Sequence, residues 1–443
     1  MTFMKLRHLA DVRNSNVDKV IAEDELPVRL CNYVDVYKND FITANLEFNA
    51  GSATVDELKR FQVKKGDVII TKDSEDRHDI GIPAFVRETA DDIVCGYHLT
   101  MLRAFEKHTF AAYLFWALQS KMAKEAFAIA ANGVTRYGLT QEGIKGLQLW
   151  LPDLSTQKRI AAFLDRETAR IDELIAKKGG LVSSLRAKLK RAISAAVTDG
   201  LDADAPGRDS GIDWIGKIPA HWSLMKLGYL GRCANGINIG GDAFGSGYPF
   251  ISYGDVYKNR ELPVSVAGLV QSTEADRKAY SVIAGDVLFT RTSETIEEVG
   301  FSSVCMTTIE DAVFAGFLIR FRPNKNQLSP LFSKYAFQHM GLRDYFAKEM
   351  NLITRASLSQ DLLRNMPVPL PPLEEQRAIG EHLGRLERQI EAIIEKTLET
   401  ISKLKERRAA LITAAVTGQI DVDTYGKAGT TSEKLDQIEK ELQ

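Results

Sequence analysis

Two stretches of this chain are copies of one another. The stretch from Leu151-Pro152-Asp153-Leu154, through Gln157 and Ile160, to Ala195-Ala196-Val197-Thr198 returns 219 residues later. There it reads Leu370-Pro371-Pro372-Leu373, then Gln376 and Ile379, then Ala414-Ala415-Val416-Thr417. A long-period repeat constrains the fold more than any short motif, because each copy must be the same structural unit. The match extends into the preceding residues. Tyr33-Val-Asp-Val-Tyr-Lys-Asn39 returns as Tyr253-Gly-Asp-Val-Tyr-Lys-Asn259, and Gly66-Asp67-Val68-Ile69-Ile70-Thr71-Lys72 as Gly285-Asp286-Val287-Leu288-Phe289-Thr290-Arg291. Gly96-Tyr97 aligns with Gly316-Phe317, and Val134-Thr135-Arg136 with Ile353-Thr354-Arg355, always at an offset of 219 or 220. The chain therefore reads as two related halves, each a globular segment closed by a long helix.

The helices are legible from their spacing. Ser155 to Thr198 would extend about 65 Å at about 1.5 Å per residue. In the second helix Ile379, Leu383, Leu386, Ile390 and Ile393 step by four and three, and Ile401 and Leu404 resume the pattern of a coiled-coil seam. The first carries Ile160, Leu164, Ile171, Ile175, Val182, Leu185, Leu189 and Ile193, with Gly179-Gly180 as an expected kink. Helices of this length pack against a partner, and the simplest partner is the other copy. Charge selects the direction. From Leu174 to Thr198 the first helix carries Lys177, Lys178, Arg186, Lys188, Lys190 and Arg191 and no acid, whereas Glu374 to Glu399 holds seven glutamates against four bases. Antiparallel packing sets these segments side by side, and parallel packing would crowd like charges.

Within each half, β-rich runs (Asp67–Thr71, Ala84–Val86, Asp286–Phe289) alternate with turns, and a helix is expected from Phe110 to Ala131 with a counterpart from about Pro330 to Lys348. The fold class expected is α+β, with two pseudo-repeated globular domains separated by a long antiparallel two-helix coiled coil. The expected boundaries are 1–152 and 222–371 for the globular domains, 153–200 and 372–418 for the long helices, 201–221 for a linker, and 419–443 for a tail.

Composition narrows the class. With 443 residues there is room for two cores, and no apolar run is long enough to cross a bilayer. The N-terminus MTFMKLRHLA lacks the apolar core of a signal peptide, and four widely spaced cysteines suggest neither a disulfide framework nor a zinc site. A cytoplasmic protein is expected. A net charge of −2 leaves nucleic-acid binding to a local basic face. An antiparallel pair of repeats gives two related, non-identical readers a separation fixed by the helices. Duplex DNA suits such a pair because its strands are related by two-fold axes. A protein-interaction scaffold without DNA binding would use the same ruler.

The paired Leu-Pro-x-Leu-x-x-Gln-x-x-Ile helices, the run Trp214-Ile-Gly-Lys-Ile-Pro-Ala-His-Trp222 and the Gly-Asp-Val strand together resemble the specificity subunit of type I restriction–modification systems. The resemblance covers nearly the whole chain. It implies two target-recognition domains that read a bipartite, asymmetric DNA sequence across an unread spacer, and two methyltransferase subunits as partners, with restriction subunits able to join. It further implies S-adenosylmethionine, ATP and magnesium on those partners and no cofactor in this chain. One departure is that the first half begins at Lys5-Leu6, aligned with Lys226-Leu227, without its own Trp-Ile-Gly lead-in; the C-terminal tail is the candidate substitute.

No Asn/Asp-Pro-Pro-Tyr/Phe motif of an amino-methyltransferase is present, and Gly211 to Lys217 fails as a P-loop because Ile218 stands where Ser or Thr should ligate magnesium. No metal pattern appears among the seven histidines, so a non-catalytic chain is expected. Candidate DNA contacts are basic and polar residues in matching turns: Lys72 and Arg291, with Ser74, Arg77, Thr292 and Thr295 beside them; Arg136 and Arg355, with Tyr137; and the repeated Lys38 and Lys258. Arg reads guanine in the major groove and Lys more often meets phosphate. A solvated loop cation is the plain alternative for each, and Asp35 and Asp255 are alternative partners for the two repeated lysines. The Gly-rich loop Asn235 to Gly247 offers close approach to a DNA backbone. Gln157 and Gln376, polar residues in matching first helical turns, are candidates for capping or for contact with partner subunits.

Overall fold

A computed structural model describes residues 2–293, 299–349 and 356–425. The chain divides into two compact units: Met1–Gly179 together with the residues from Leu398 onward, and Gly180–Thr397. Each contains a globular part and segments of both long helices, Leu154–Thr198 and Leu373–Val416.

In the first unit the strands Ala10–Asn14, Leu99–Ala104, Val68–Thr71 and Pro83–Val86 form an antiparallel sheet, with Phe41–Ile42 parallel at its edge. A second sheet joins Asn49–Ala53, Leu26–Cys31 and Ile93–Cys95. The second unit repeats the scheme with Gly231–Asn235, Leu318–Pro323, Val287–Thr290 and Ser302–Val304, and a smaller sheet of Leu269–Val270, Phe244–Ile251 and Val313–Phe314. In both, the strand after the Gly-Asp pair is buried along its whole length, which explains its unbroken apolar run. The Gly-Asp pair has its own reason. Gly66 and Gly285 hold φ of +91° and +93°, which favours glycine. Asp67 and Asp286 are buried, each accepting a backbone N–H (from Lys64 at 2.8 Å, from Ile283 at 2.9 Å) and a two-pronged guanidinium, Arg103 in one unit and Arg322 in the other.

The long helices pair within each unit. In the first, Ile160, Leu164 and Ile171 share a core with Leu411, Ile412 and Ala415, and Arg408 Nε lies 2.9 Å from Asp172. In the second, Leu189, Ile193 and Val197 share a core with Ile379, Leu383 and Ile390. Early residues of one helix meet late residues of the other in both units, so the pair is antiparallel. The seam differs from expectation at one point. Ile393 is exposed and Ile394 packs inward, followed by buried Thr397. The steps from 386 through 390 and 394 to 397 add to eleven, a local spacing of the right-handed rather than the left-handed seam. Gly179-Gly180 does not interrupt its helix, and a Cβ on either would meet nothing within 4 Å.

Among the described residues, the basic stretch of the first helix forms no run of ion pairs with the glutamates of the second, and Lys177 pairs with Glu173 of its own helix. Glu387 instead turns to the globular part of its own unit, accepting from Tyr335 Oη at 2.7 Å and lying 3.0 Å from Lys334 Nζ and against Arg260. Burial pushes this carboxyl up, but the Tyr335 hydroxyl, Lys334 and Arg260 outweigh it and hold it below the ordinary range. A depressed carboxyl contributes stability above its unfolded value, about 4.3, and loses it as pH falls through the folded value. Glu387→Gln should therefore destabilise the second unit at pH 7, with the gap to wild type closing below about pH 4.3 in urea titrations. A gap that stays constant or widens on acidification would contradict this.

Other expectations need correction. The helix expected from Phe110 to Ala131 is two, Ala111–Gln119 and Lys121–Ala130. Ser120 breaks it with extended backbone, and its hydroxyl accepts from Ala123 N to cap the second. The counterpart likewise divides into Pro330–Ala336 and Leu342–Glu349. Residues 201–221 are no loose linker. Gly207–Asp209 pairs with Lys217–Pro219 as a hairpin, and Ile215 and Ile218, with Trp222 just beyond, enter the core of the second unit. In the first unit the residues after Gly418 occupy comparable ground: Ile420 is buried, and the Tyr425 ring meets Phe163 edge-on at 4.9 Å. Gly200 and Gly418 end the two long helices at φ of +79° and +71°, the left-handed C-terminal position that glycine fills best.

Candidate nucleic-acid interface

Matching hydrogen bonds fix how the turns of the two units correspond. Lys72 N donates to His98 O at 3.1 Å and Arg291 N to Phe317 O at 2.9 Å; Leu99 pairs with Thr71, and Leu318 with Thr290. His98 is therefore the counterpart of Phe317, and Tyr97 of Gly316. The sequence alignment of Gly96-Tyr97 with Gly316-Phe317 is one residue out, because strand pairing keeps the 219 offset there.

In the first unit the expected cations are gathered but held. Lys72, half-buried, donates to Ser15 O at 3.3 Å and lies 4.5 Å from the centre of the Tyr97 ring, and burial pushes its pKa down. Arg77 donates from Nε and Nη2 to Ala128 O at 3.3 and 2.9 Å, with its guanidinium over Tyr137. Arg136, largely exposed, donates to Asp73 Oδ1 at 3.1 Å and faces His98 Nδ1 at 3.3 Å. The Asp73 carboxylate also takes His98 Nδ1 at 2.9 and 3.0 Å. Ser74 and Tyr137 are opposite residues of the short ladder Asp73–Ser74 with Tyr137–Gly138, which brings the Lys72 and Arg136 turns together. Beside them stands the helix Tyr33–Lys38, whose Tyr33 and Tyr37 rings stack at 5.5 Å. Burial raises the Tyr33 phenol pKa, partly offset by a bond with Ser74.

The second unit places the same parts. Arg291 is half-buried with Nη1 3.4 Å from Gly316 O, and Thr292–Ser293 pairs with Ala356–Ser357 as Asp73–Ser74 does with Tyr137–Gly138. Tyr253 and Tyr257 stack at 5.8 Å on the helix Tyr253–Lys258. Phe317 is 63% exposed at the turn. Lys38 and Lys258 are exposed at the ends of their helices, and Asp35 and Asp255 cap those same helices from the other end. Lys258 borders a polar cavity of about 490 Å³ that Lys190 and Glu391 also line. Thr295 and Arg355 lie outside the described residues. The Gly-rich loop has a packing reason at Gly236, where a Cβ would fall 2.0 Å from Ala315 O.

Gln157 and Gln376 are corrected as partner contacts. They are 0% and 1% exposed. Gln157 accepts from Phe110 N at 2.7 Å and donates to His108 O and Pro152 O, both at 2.8 Å. Gln376 accepts from Ser329 N at 2.8 Å and donates to Gln327 O and Pro371 O at 3.2 and 3.0 Å. Each fastens the start of a long helix to a loop of its globular part, leaving little for another chain.

The model of the family described as type I restriction modification DNA specificity domain matches residues 4–179 and again 221–403. The chain belongs to this family. Each match takes in one globular part and most of the long helix that follows it. Among curated relatives, the type I restriction enzyme EcoKI specificity subunit of Escherichia coli K12 is 21% identical over 411 residues, 90% of this chain and 83% of that one. The MjaVIII specificity subunit of Methanocaldococcus jannaschii is 24% identical over 333 residues, 70% of each chain. A proposed MjaX specificity subunit of the same organism is 28% identical over 197 residues, a match that spans 45% of its length. The fold agrees with the HsdS subunit from Thermoanaerobacter tengcongensis (TM-score 0.50, 19% identity, 95% of this chain and 97% of that one). A chain from a structure of type I R-M system assembly and conformational transition superposes at a TM-score of 0.71, with 18% identity over 95% of this chain and 98% of that one. No helix of the described residues is long and apolar enough to cross a membrane.

Sequence reasoning missed His98 and Asp73, which no motif marks, and passed over the tyrosine pair, although two tyrosines four apart in a repeated helix were in view.

Proposed function

We propose that this member of the DNA specificity family is the non-catalytic recognition subunit of a type I restriction–modification complex. Each unit reads one part of a bipartite, asymmetric duplex target, and the paired long helices set an unread spacer between the parts. Adenine-N6 methylation is carried out by two methyltransferase subunits holding S-adenosylmethionine, and restriction by subunits using ATP and magnesium. The reading rests chiefly on one observation: equivalent turns in both units collect Arg, Lys, aromatic and hydroxyl side chains, yet differ at the positions that would set base preference. Asp73 in the first unit corresponds to Thr292 in the second, and Tyr97-His98 to Gly316-Phe317. Arg and Lys at such turns suit phosphate and base edges. The contacts assigned to DNA are Lys38, Lys72, Ser74, Arg77, Arg136 and Tyr137 in one unit and Lys258, Arg291, Thr292, Thr295 and Arg355 in the other.

Methylation mapping in a host carrying this chain and its neighbouring genes tests the reading. The expected result is a methyladenine motif in two parts with a fixed gap, lost when this chain is deleted. A contiguous motif, or methylation unchanged by the deletion, would overturn it.

A further inference from the structure

Folding makes no use of the Phe317 ring. It joins neither apolar core of its unit, and among the described residues no ring or cation packs on it. A single exposed apolar side chain is ordinary on a protein surface, so position has to decide. Phe317 O accepts from Arg291 N at 2.9 Å, which sets the ring at the turn where the second unit gathers its polar side chains. The Gly-rich loop brings another unused group to the same spot. Gly236 N donates to Leu318 O at 3.2 Å and Ile237 N to Phe314 O at 2.9 Å, laying the loop along residues 314–318. A Cβ on Gly316 would fall 1.9 Å from Asn238 Oδ1 and 2.9 Å from its Cγ, so a glycine here makes room for the Asn238 side chain. Asn238 is exposed, and among the described residues its amide has no hydrogen-bond partner. Arg291 Nη1, 3.4 Å from Gly316 O, meets the same glycine from its other side chain neighbour.

A carboxamide and a phenyl ring thus stand side by side, fixed by the backbone and left without work inside the chain. Neither carries the charge that suits a phosphate. Both suit base edges in the major groove, where a carboxamide matches N6 and N7 of adenine and an apolar ring packs on the C5 methyl of thymine. Those two bases are partners in one pair. Resting on the DNA-recognition reading above, we propose that Asn238 and Phe317 read an A·T pair in the half-site of the second unit. The Asn238 amide takes the adenine edge and the Phe317 ring the thymine methyl. The first unit carries Tyr97 and His98 where the second has Gly316 and Phe317, so a Tyr97 ring stands where the Asn238 amide would need room. The two units therefore differ in the base chemistry they offer at equivalent turns.

The test uses the full chain assembled with its methyltransferase subunits and equilibrium binding to duplexes carrying the mapped target. Each thymine is replaced in turn by uracil, which lacks only the methyl, and each adenine by 7-deazaadenine, which lacks the N7 acceptor. At one A·T pair of one half-site, uracil should weaken wild-type binding about 3- to 5-fold, the worth of a buried methyl group. At the same pair 7-deazaadenine should weaken it about 5-fold or more. Phe317→Ala should bind the thymine and uracil duplexes alike, and Phe317→Leu should keep the difference. Asn238→Ala should become indifferent to 7-deazaadenine. Each comparison is made within one variant, so a change in folding cancels. A target whose half-sites respond to neither replacement, or alanine variants that respond as wild type does, would overturn the A·T reading while leaving DNA recognition intact. A wild-type complex that binds the target no better than an unrelated duplex would overturn the recognition reading, and this assignment with it.

Discussion

Arg103→Met is expected to destabilise the first unit by about 3–5 kcal/mol, the cost of leaving a buried carboxylate without its partner. Arg103 Nε and Nη2 each lie 2.7 Å from one oxygen of Asp67, whose side chain is 1% exposed. Among the described residues no other cation reaches that carboxylate, whose remaining bond is the Lys64 amide at 2.8 Å. A domain has only about 5–15 kcal/mol in total, so this one change consumes much of it. Hydrogen exchange should show earlier opening of Val68–Thr71 and Leu99–Ala104, with Val287–Thr290 protected as before. Arg322→Met should do the converse through Asp286, held at 2.7 and 2.6 Å. Combining Arg103→Met with Asp67→Asn should recover part of the loss, because the buried group is then neutral. Wild-type stability in the single variant would show the pair to be dispensable.

What the sequence disclosed, and what it hid, divides along the same physical line. Burial is periodic and therefore readable. The long helices, their antiparallel order and the Gly-Asp-Val strands follow from apolar spacing and from charges that cannot be stacked alike. Local backbone choices are less visible. Ser120 is a neutral residue in a helix and a good cap, and only the packing of Leu118 and Phe127 decides between the two. The segment 201–221 looks like a linker because of its Pro206, Gly207 and Gly211, yet Ile215, Ile218 and the Trp214 indole find the core of the second unit. Long-range polar contacts were hidden altogether. Gln157 and Gln376 could have faced a partner, and nothing in their spacing reveals that Phe110 N and Ser329 N await them. At the candidate interface the sequence displays residue type but not availability: Lys72 and Arg77 are tied to the carbonyls of Ser15 and Ala128.

Availability is what makes Asp73 the sharpest test of recognition. Its carboxylate is 15% exposed and joins His98 to Arg136, whose side chain is largely exposed. Removing it frees the guanidinium to wander and leaves the imidazole without its anchor, so under the proposed recognition role the geometry offered to DNA is lost although neither Arg136 nor His98 is deleted. A well-placed bidentate contact is worth about 1–3 kcal/mol of discrimination, which sets the expected loss for Asp73→Ala at roughly 10- to 100-fold. The second unit carries Thr292 at this position and Phe317 opposite it, so it has no equivalent to lose. Competition binding by the assembled complex, with single base-pair changes placed in each half-site in turn, should show tolerance appearing in one half-site and the other unaltered. Arg136→Ala should relax the same half-site, and adding Asp73→Ala to it should cost little more, because the acid acts through the arginine. Equal relaxation of both half-sites, or additive losses in the double variant, would refute that dependence. A loss of discrimination confined to one half-site would also assign that half-site to the first unit.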